Sequence, residues 1–496
     1  MSARSMAPGP KLALQRCGTM FLGDASIMLL SAARQPRIGL ICFSAIPDDP
    51  RVRRQGDLFY SRGWDVIAVG LPAARSRPPE WLCLSVNADN SLSPVKCEQE
   101  TANADPSGRG AADRSSQMVR GQATADALDD LSPVLSPARF PSFHKALSWI
   151  YWRMLAPILR RAKRAKDLTL IYIDPKHADN TYWTLNDRFE RLYDLASRYK
   201  VDIWLANDWT ALPIARRLAA EQGVPYVYDT HELAVDEYAH RLLWRLTQRP
   251  VIAAIEREGI ADSAVTSCVS QGIADRLHAL YALPEKPLLI RNMPRYEAHP
   301  LRPCGEQIRV LYHGVVNVGR GLEVCIDSVA LWRPEFHLTI RGPGPAEYIE
   351  ALAALIKAKG LGERVVLAPP VPMIDLVREA SSFDIGLFAL PGHSKQNLHV
   401  LPNKFFEYTM AGLALCVSDL PEMSALLRQH GLGHLIPDVT PQAIADAING
   451  FDRDEIDACK RYALEAAKTL NWESEADRFF AAIKEAVLAA NTNAAV

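Results

Sequence analysis

The sequence lacks the features of a secreted, membrane-spanning or nucleic-acid-binding protein. Its 56 basic and 57 acidic side chains leave a formal net charge of −1, so no overall field draws it to nucleic acid or to an acidic membrane. No apolar run approaches the roughly 20 residues that span a bilayer. The nine cysteines include no C-x-x-C pair. We therefore expect reduced thiols and a cytoplasmic protein, either free or resting on the inner face of the membrane.

A dinucleotide-binding signature is missing as well. The apolar run at residues 37–43 is short enough to be a buried parallel strand, and a helical pattern at 51–62 leads to a second run at 65–69. These segments predict a βαβ unit. Because no G-x-G-x-x-G follows the first strand, the sequence argues against an NAD-dependent enzyme.

The chain does contain a long alternation of strand and helix patterns. Its 496 residues are 48% hydrophobic and 23% charged, which is typical of a soluble globular protein with two or three domains. The alternation restarts at residue 309, so the predicted fold class is α/β, with two Rossmann-like, doubly wound domains. Ligands of such sheets bind at the carboxyl ends of the strands, and we expect the site in a cleft between the domains.

The alternation also predicts the domain boundaries. We expect a poorly ordered leader at 1–36, an N-terminal Rossmann-like domain at 37–295, a C-terminal Rossmann-like domain at 296–473 and a final helix at 474–490. Within the first domain, Ser, Asp, Pro, Gly and Ala dominate residues 86–138, which predicts a disordered insertion. The apolar run at 169–173 predicts a strand.

An aromatic and basic helix is predicted at residues 143–166, with its cations clustered late. One interpretation is a peripheral contact with a membrane surface or an anionic acceptor. The other is a helix that covers the sheet and carries a solvated basic end, and Pro157 interrupts the amphipathic pattern. We favour the second interpretation.

The most informative stretch is residues 401–412, LPNKFFEYTMAG. Asn403 is the predicted N-cap of a helix, which puts Lys404 beside the free N–H groups of the first turn, where phosphate binds. Glu407 lies three residues further on the same face and can accept hydrogen bonds from hydroxyls. A phosphate next to a diol indicates a nucleotide. The alternative is a helix with a surface Lys–Glu pair.

This stretch resembles the donor-binding helix of GT-B glycosyltransferases of the retaining family 4 type, in the form P-x-K-x-x-E-Y-x-x-A-G. In that family the glutamate at the position of Glu407 holds the ribose of a nucleotide sugar. Many members carry a second glutamate eight positions earlier, facing the donor sugar, and His399 occupies that position here. The resemblance covers about residues 37–490 outside 76–142. It implies that the final helix crosses back to the first domain.

The resemblance extends to two loops of the second half. Gly314 follows its first strand, and Arg320 takes the place of the family's diphosphate-binding lysine. The arginine fork can bind two phosphate oxygens at once. The RGPG turn at 341–344 resembles the family's Gly-x-Gly turn, where Gly342 lets the backbone approach a ligand or only allows a tight turn.

Polar residues also end predicted strands of the first half. Residues 228–232 are YDTHE, and the family's Asp-x-His near this point lines the donor sugar site, so the resemblance makes His231 a site residue. Asp208, after the preceding strand, is an acceptor-side base or a hydrogen-bonding loop residue. Arg51 meets an anion or pairs with the acidic residues before it.

The resemblance implies a retaining transfer of sugar from a nucleoside diphosphate sugar to a glycan or lipid-linked acceptor, in polysaccharide, lipopolysaccharide or glycolipid assembly. Arg320 and Lys404 would meet the charge of the leaving diphosphate, with His231 nearby. We expect no cofactor beyond the donor substrate and no obligatory metal, since no Asp-x-Asp ends a predicted strand of the cleft. The alternatives are another GT-B enzyme, such as a nucleotide-sugar epimerase, and a catalytically silent GT-B scaffold protein.

Overall fold

Short strands buried on both faces form the framework of the molecule. The computed structural model describes residues 34–72, 76–86, 92–94, 166–392 and 394–494. Every residue of the strand Ile203–Asn207 is buried, as expected for a parallel strand that helices cover on both sides. The described strands assemble into two sheets.

The first sheet has eight strands in the order β4-β3-β2-β1-β5-β6-β7-β8. They are β1 (Arg37–Cys42), β2 (Asp65–Gly70), β3 (Leu82–Val86), β4 (Leu92–Pro94), β5 (Ile203–Asn207), β6 (Tyr226–Thr230), β7 (Val265–Cys268) and β8 (Leu288–Leu289). All neighbours are parallel except β4, which runs antiparallel to β3 at the edge. Strand order reverses between β1 and β5, and ligands of doubly wound sheets bind at such a reversal.

Helices cover this sheet, with one buried cluster of apolar side chains on each of its faces. They are α1 (Pro50–Ser61), α2 (His177–Leu185), α3 (Asp187–Ala196), α4 (Leu212–Gln222), α5 (Leu242–Thr247), α6 (Arg249–Ala261) and α7 (Gln271–Tyr281). The ring of Trp204 fills the space beside Gly39 of the adjacent strand, where any Cβ would overlap it. The neighbouring strands β1 and β5 therefore fit together through side-chain shape as well as through apolar burial.

The second sheet is parallel throughout, in the order β11-β10-β9-β12-β13-β14. Its strands are β9 (Ile308–His313), β10 (Phe336–Arg341), β11 (Val365–Ala368), β12 (Ile385–Phe388), β13 (Ala414–Ser418) and β14 (Gly433–Ile436). Its helices are α8 (Leu322–Val329), α9 (Ala346–Ala358), α10 (Leu376–Ala380), α11 (Lys395–His399), α12 (Asn403–Met410), α13 (Pro421–His430), α14 (Pro441–Asn449) and α15 (Arg453–Ala467). Here the order reverses between β9 and β12.

The helix α16 (Trp472–Ala494) follows the second sheet in sequence but packs on the first. The ring centres of Phe479 and Phe480 lie 6.3 Å and 5.5 Å from that of Phe59 on α1. Ile483 is fully buried in the same cluster. No helix in the described ranges is both long and apolar enough to cross a bilayer.

The predicted architecture of two doubly wound α/β domains is confirmed. The predicted strand at 169–173 is wrong, because residues 166–173 are helical. Ile171 is buried there while Tyr172 and Ile173 are exposed, so the run is buried on one side only, and short apolar runs do not distinguish helix from strand. The predicted disorder of 86–138 does not hold for β4. The rest of that stretch, the leader at 1–33 and residues 143–165 lie outside the described residues.

Candidate active site

The residues predicted to bind a nucleotide lie at the start of α12. Asn403 is the first helical residue, and Pro402 is the N-cap, with no side chain capping the helix. The prediction of Asn403 as the N-cap is therefore wrong by one position, because Pro402 takes the extended conformation that a cap needs. Lys404 is thus the second residue of the first turn, where free N–H groups favour an anion.

Lys404 lies in an aromatic and glycine-lined niche. Its Nζ is 5.4 Å from the ring centre of Tyr312 and 5.0 Å from that of Phe388. Gly314 has a φ of +114°, which favours glycine, and a Cβ there would lie 2.7 Å from Nζ and displace the amine from its present position. Burial, followed by the charge of Arg320, lowers the pKa of Lys404 to about 8. In the described part of the chain no carboxylate forms an ion pair with this amine.

Glu407 lies one turn further along α12, against the end of β9. Its Oε2 is 2.9 Å from Nε2 of His313, the last residue of that strand. Burial raises the pKa of Glu407, but His313, Lys404 and Arg54 lower it more, so the net shift is downward and the carboxylate is ionised. The backbone N–H of His313 donates to Tyr408 Oη at 3.0 Å, which fixes strand against helix.

Arg320 lies on the loop before α8, and Gly321 is the N-cap of that helix. Its charge lowers the pKa of Lys404 and opposes the rise in the pKa of Glu232. Arg320 therefore acts electrostatically on both sides of the cleft, since Lys404 belongs to the second domain and Glu232 follows β6 of the first. The two cations predicted to bind diphosphate are brought together.

Gly342 serves the packing of two loops. It has a φ of +154°, and a Cβ there would overlap the carbonyl oxygen of Gly314. Gly314 N–H in turn donates to the carbonyl of Arg341 at 3.0 Å. Of the two roles considered for Gly342, tight backbone packing is observed, and contact with a ligand stays a prediction.

A buried carboxylate organises the first-domain side of the cleft. Asp229 on β6 accepts hydrogen bonds from Arg51 Nε and Nη2, each at 2.5 Å. It also accepts from Gln55 Nε2 at 2.6 Å and Ser267 Oγ at 2.5 Å. These donors and charges hold the pKa of Asp229 well below its usual range despite burial. Both predictions for Arg51 are therefore wrong: it is fully buried and pairs with Asp229 across the sheet edge.

His231 follows β6 and is positioned by this network. Its Nε2 is 3.1 Å from Asn207 Oδ1 and 3.4 Å from Asp229 Oδ2. Burial lowers the pKa of His231, but Asp229 raises it more, so the net shift is upward. The imidazole therefore tends to carry a proton and to add positive charge to the cleft.

Two carboxylates flank His231. Asp208 adopts a left-handed backbone with a φ of +69°, a conformation that non-glycine residues rarely hold outside functional or tightly packed sites. Burial raises the pKa of Asp208. Burial and then Asp208 raise the pKa of Glu232 to about 7. The first-domain side of the cleft thus holds carboxylates poised to accept hydrogen bonds or a proton.

Two site neighbours were missed from the sequence. Arg54 lies one turn after Arg51 on α1, hydrogen-bonds to Asn292 and is near enough to Glu407 to act on its pKa. Burial, more than any neighbour, lowers the pKa of Arg54 to about 10. The i, i+3 spacing of the two arginines was the available signal. His313, directly before the loop glycine, had no signal beyond its place at a strand end.

His399 is not brought to the Lys404 niche. Its carbonyl accepts a hydrogen bond from Ser270 Oγ at 2.7 Å, and its imidazole packs on Gly272 at the start of α7. Glu422 of α13 accepts a hydrogen bond from the Gly272 N–H at 2.5 Å. These contacts put His399 in the interface between the two domains.

The arrangement as a whole combines positive charge with an ionised carboxylate. Lys404 and Arg320 can neutralise a diphosphate, the ionised Glu407 can accept hydrogen bonds from a diol, and His231 follows β6 of the other domain. Within the described residues, no group of three or more His, Cys, Asp or Glu side chains is arranged to hold a metal ion.

Two family models match the chain. The "Glycosyl transferase 4-like domain" model matches residues 49–293, and the "Glycosyl transferases group 1" model matches residues 307–454. Together they cover the second sheet and every strand of the first sheet except β1. Among proteins with a curated description, none matches this sequence.

Solved structures share the fold at low sequence identity. Sucrose-phosphate synthase from Thermosynechococcus elongatus is 14% identical, with 92% of this chain and 100% of that chain covered and a TM-score of 0.61. HepE from Anabaena, in complex with UDP and glucose, is 12% identical, with 91% and 100% covered and a TM-score of 0.57. An E. coli structure described as trehalose-6-phosphate bound with UDP-2-fluoro glucose is 13% identical, with 91% and 99% covered and a TM-score of 0.54.

Proposed function

Because glycosyl transferase family models match both domains of this chain and it has the fold of the GT-B glycosyltransferases, we propose that it moves a sugar from a nucleoside diphosphate sugar to a hydroxyl of a glycan or lipid-linked acceptor, with retention. The observation that carries the proposal is the convergence of Lys404, Arg320 and Glu407 at the carboxyl end of β9. The site combines a desolvated amine at a helix start with a half-buried arginine that acts on it and with an ionised carboxylate.

In the proposed donor complex, Lys404 and Arg320 bind the diphosphate and Glu407 accepts hydrogen bonds from the ribose hydroxyls. A desolvated amine with a lowered pKa gains a large favourable interaction when an anion approaches, because few water molecules screen it. Gly314 leaves the space that this approach needs. Ribose binding would draw Glu407 partly away from His313.

The proposed reaction breaks the bond between the anomeric carbon and the diphosphate oxygen. Positive charge develops on the sugar, and the departing diphosphate takes up negative charge beside Lys404 and Arg320. The leaving phosphate oxygen accepts the proton of the acceptor hydroxyl as the new glycosidic bond forms on the same face. The proposal assigns charge neutralisation to these two side chains and gives a metal ion no required part.

The donor nucleotide and the acceptor are the open choices within this proposal. HepE and the E. coli neighbour were solved with uridine nucleotides, so UDP and its sugar conjugates are the first donors to test. A glycan or lipid-linked acceptor in cell-surface polysaccharide, lipopolysaccharide or glycolipid assembly follows from the family resemblance. Contact of residues 143–166 with a membrane surface, the less favoured of their two interpretations, would bring the chain to such an acceptor.

The first test is a thermal-shift panel with UDP, GDP, ADP and CMP, with NAD as the control. A ligand at a hundred times its dissociation constant adds about 2.7 kcal/mol of stability, enough to raise the Tm visibly. We expect one nucleoside diphosphate to raise it and NAD to leave it unchanged. A folded protein that responds to none of them contradicts the proposal.

The matched variant is Glu407→Ala. Removing a charged acceptor of ribose hydroxyls should weaken nucleoside diphosphate binding by roughly 1–3 kcal/mol in calorimetry. The control is Glu363→Ala, at an exposed position away from the cleft. Binding without any product from the matching nucleotide sugar would favour the catalytically silent alternative, and an unchanged affinity in Glu407→Ala would refute the ribose assignment.

A further inference from the structure

We propose that Gln396 and Asn207 form a subsite that binds hydroxyl groups of the transferred sugar, on the first-domain side of Arg320. The inference rests on the proposed function and deepens it, because it names the side chains that recognise the sugar. The class of ligand is an uncharged, hydroxylated sugar ring.

Gln396 has a buried side-chain amide whose oxygen is hydrogen-bonded and whose N–H₂ group is not. It lies on α11 and is 4% exposed. Its Oε1 accepts a hydrogen bond from the backbone N–H of Leu233 at 2.6 Å, across the interface between the domains. Within the described residues its Nε2 has no hydrogen-bond partner. A buried donor left unpaired costs roughly 1–3 kcal/mol, and such groups are rare in folded proteins.

Asn207 repeats this arrangement from the other domain. It ends β5 and is 2% exposed. Its Oδ1 lies 3.1 Å from Nε2 of His231, while its Nδ2 lacks a partner anywhere in the described ranges. Both amides therefore direct their oxygens to the loop after β6, at His231 and Leu233, and keep N–H donors uncommitted.

Two carboxyl groups near the amides supply acceptors. Asp208 directly follows Asn207 after β5, and Glu232 lies between His231 and Leu233 on the loop after β6. Burial raises the pKa of both carboxyl groups. A sugar hydroxyl donates one hydrogen bond and accepts others, so a site that offers both amide donors and carboxyl acceptors matches it. A phosphorylated or carboxylated sugar would bring a further negative charge beside these two carboxyl groups, which is unfavourable whenever they are ionised.

The subsite adjoins the proposed diphosphate position. Glu232 is within electrostatic reach of Arg320, which in turn acts on Lys404. The sugar attached to the diphosphate is the nearest part of the donor to this loop. Gln396 lies on the same short helix as His399, whose imidazole packs on Gly272. The proposal therefore assigns sugar recognition to Gln396, one helical turn before His399, the position at which the family resemblance places it.

The test compares nucleotide sugars that share one nucleoside diphosphate. Gln396→Glu and Asn207→Asp keep the oxygen that each structural contact uses and replace the unpaired N–H₂ donor by a second carboxyl oxygen, which also adds an ionisable group. The probes are UDP, UDP-glucose, UDP-galactose, UDP-N-acetylglucosamine and UDP-glucuronate, or the corresponding set for the nucleotide that the thermal-shift panel selects. Dissociation constants come from calorimetry.

We expect the unmodified protein to prefer one uncharged sugar and to disfavour the glucuronate. Each variant should reduce that preference by roughly tenfold, the size of one well-formed hydrogen bond, with the affinity for the nucleoside diphosphate unchanged. Gln396→Met, which adds no charge, should show the same loss. Lys395→Ala, at an exposed neighbour on α11, is the control and should keep the preference.

The outcomes distinguish failure of the sugar subsite from failure of the proposed function. A protein that binds the nucleoside diphosphate but treats all the sugars alike overturns the subsite and leaves the donor site standing. Unchanged sugar preference in properly folded Gln396 and Asn207 variants also overturns it, since their amides would then serve structure alone. Failure to bind any nucleotide overturns the proposed function itself.

Discussion

At the scale of single residues, the protonation of Lys404 should make nucleoside diphosphate binding depend on pH. In the free protein, burial and Arg320 lower its pKa to about 8, so the amine loses its proton as the pH rises through that value. A bound diphosphate favours the protonated amine. Nucleoside diphosphate affinity should therefore fall as the pH rises from 7 to 9.5, and binding near pH 8 should take up protons.

Calorimetry in buffers with different ionisation enthalpies measures that proton uptake. The control is Lys404→Arg, whose guanidinium stays protonated throughout this range, so its affinity should depend less on pH. Equal pH dependence in the two proteins would contradict the assignment of Lys404 to the diphosphate.

Asp229 holds together the first-domain side of the cleft, again through one side chain. Asp229→Asn would leave the buried Arg51 without its counter-charge, which should lower the free energy of unfolding by about 3–5 kcal/mol. Denaturant titration measures this loss. The control is Asp187→Asn, at an exposed pair with Arg191, which should cost about 0–1 kcal/mol.

A second readout separates stability from positioning. Without the carboxylate of Asp229, the main cause of the raised pKa of His231 is gone, and the histidine should titrate at a lower pH in NMR. An unchanged His231 titration in the asparagine variant would mean that the carboxylate does not set the charge of the imidazole.

The sequence predicted these residues unevenly, for a physical reason. Lys404 and Glu407 belong to one helix, so local spacing placed them on one face. Arg51 and Asp229 are 178 residues apart in the chain, and no local pattern reveals that they pair. His399 was assigned by its distance from Glu407 in sequence, but it ends the short helix α11, which a loop separates from α12, and it contacts the other domain.

At the scale of elements, the two glycine loops after β9 and β10 must pack backbone on backbone. Gly342→Ala would place a methyl group on the Gly314 carbonyl, in a conformation with positive φ. We expect a loss of about 1–3 kcal/mol in the free energy of unfolding. The control is Gly362→Ala, where a Cβ meets open space, with an expected change within about 0.5 kcal/mol. Similar values for both would refute the packing role.

Elements were predicted best where burial is two-sided. Strands such as β5 are apolar along their whole length because helices cover both faces. The segment at 166–173 has the same apolar composition but is buried on one side only, and composition alone does not separate these cases. Strand β4 was missed because three residues give no period.

At the scale of the whole molecule, the cleft is held by side chains that reach from one domain to the other. Glu422 of α13 accepts a hydrogen bond from the backbone of Gly272, at the start of α7, where a helix start favours a negative charge. Glu422→Ala should weaken this contact and increase the radius of gyration in small-angle X-ray scattering.

The nucleoside diphosphate should partly restore the compact form of Glu422→Ala, since its proposed site is completed from both domains. Glu363→Ala, exposed on the second domain, serves as the control. A radius of gyration identical to that of the unmodified protein would mean that this contact does not hold the domains together.

The position of α16 has a consequence for how the protein is made. Its residues are synthesised after both sheets, yet Phe479 and Ile483 belong to the buried cluster beneath β1. During synthesis on the ribosome, this apolar face of the first domain therefore stays uncovered while the entire second domain is translated. A helix made after the second domain thus completes the packing of strands made long before it, and a chaperone that shields apolar surfaces would find its substrate in that interval.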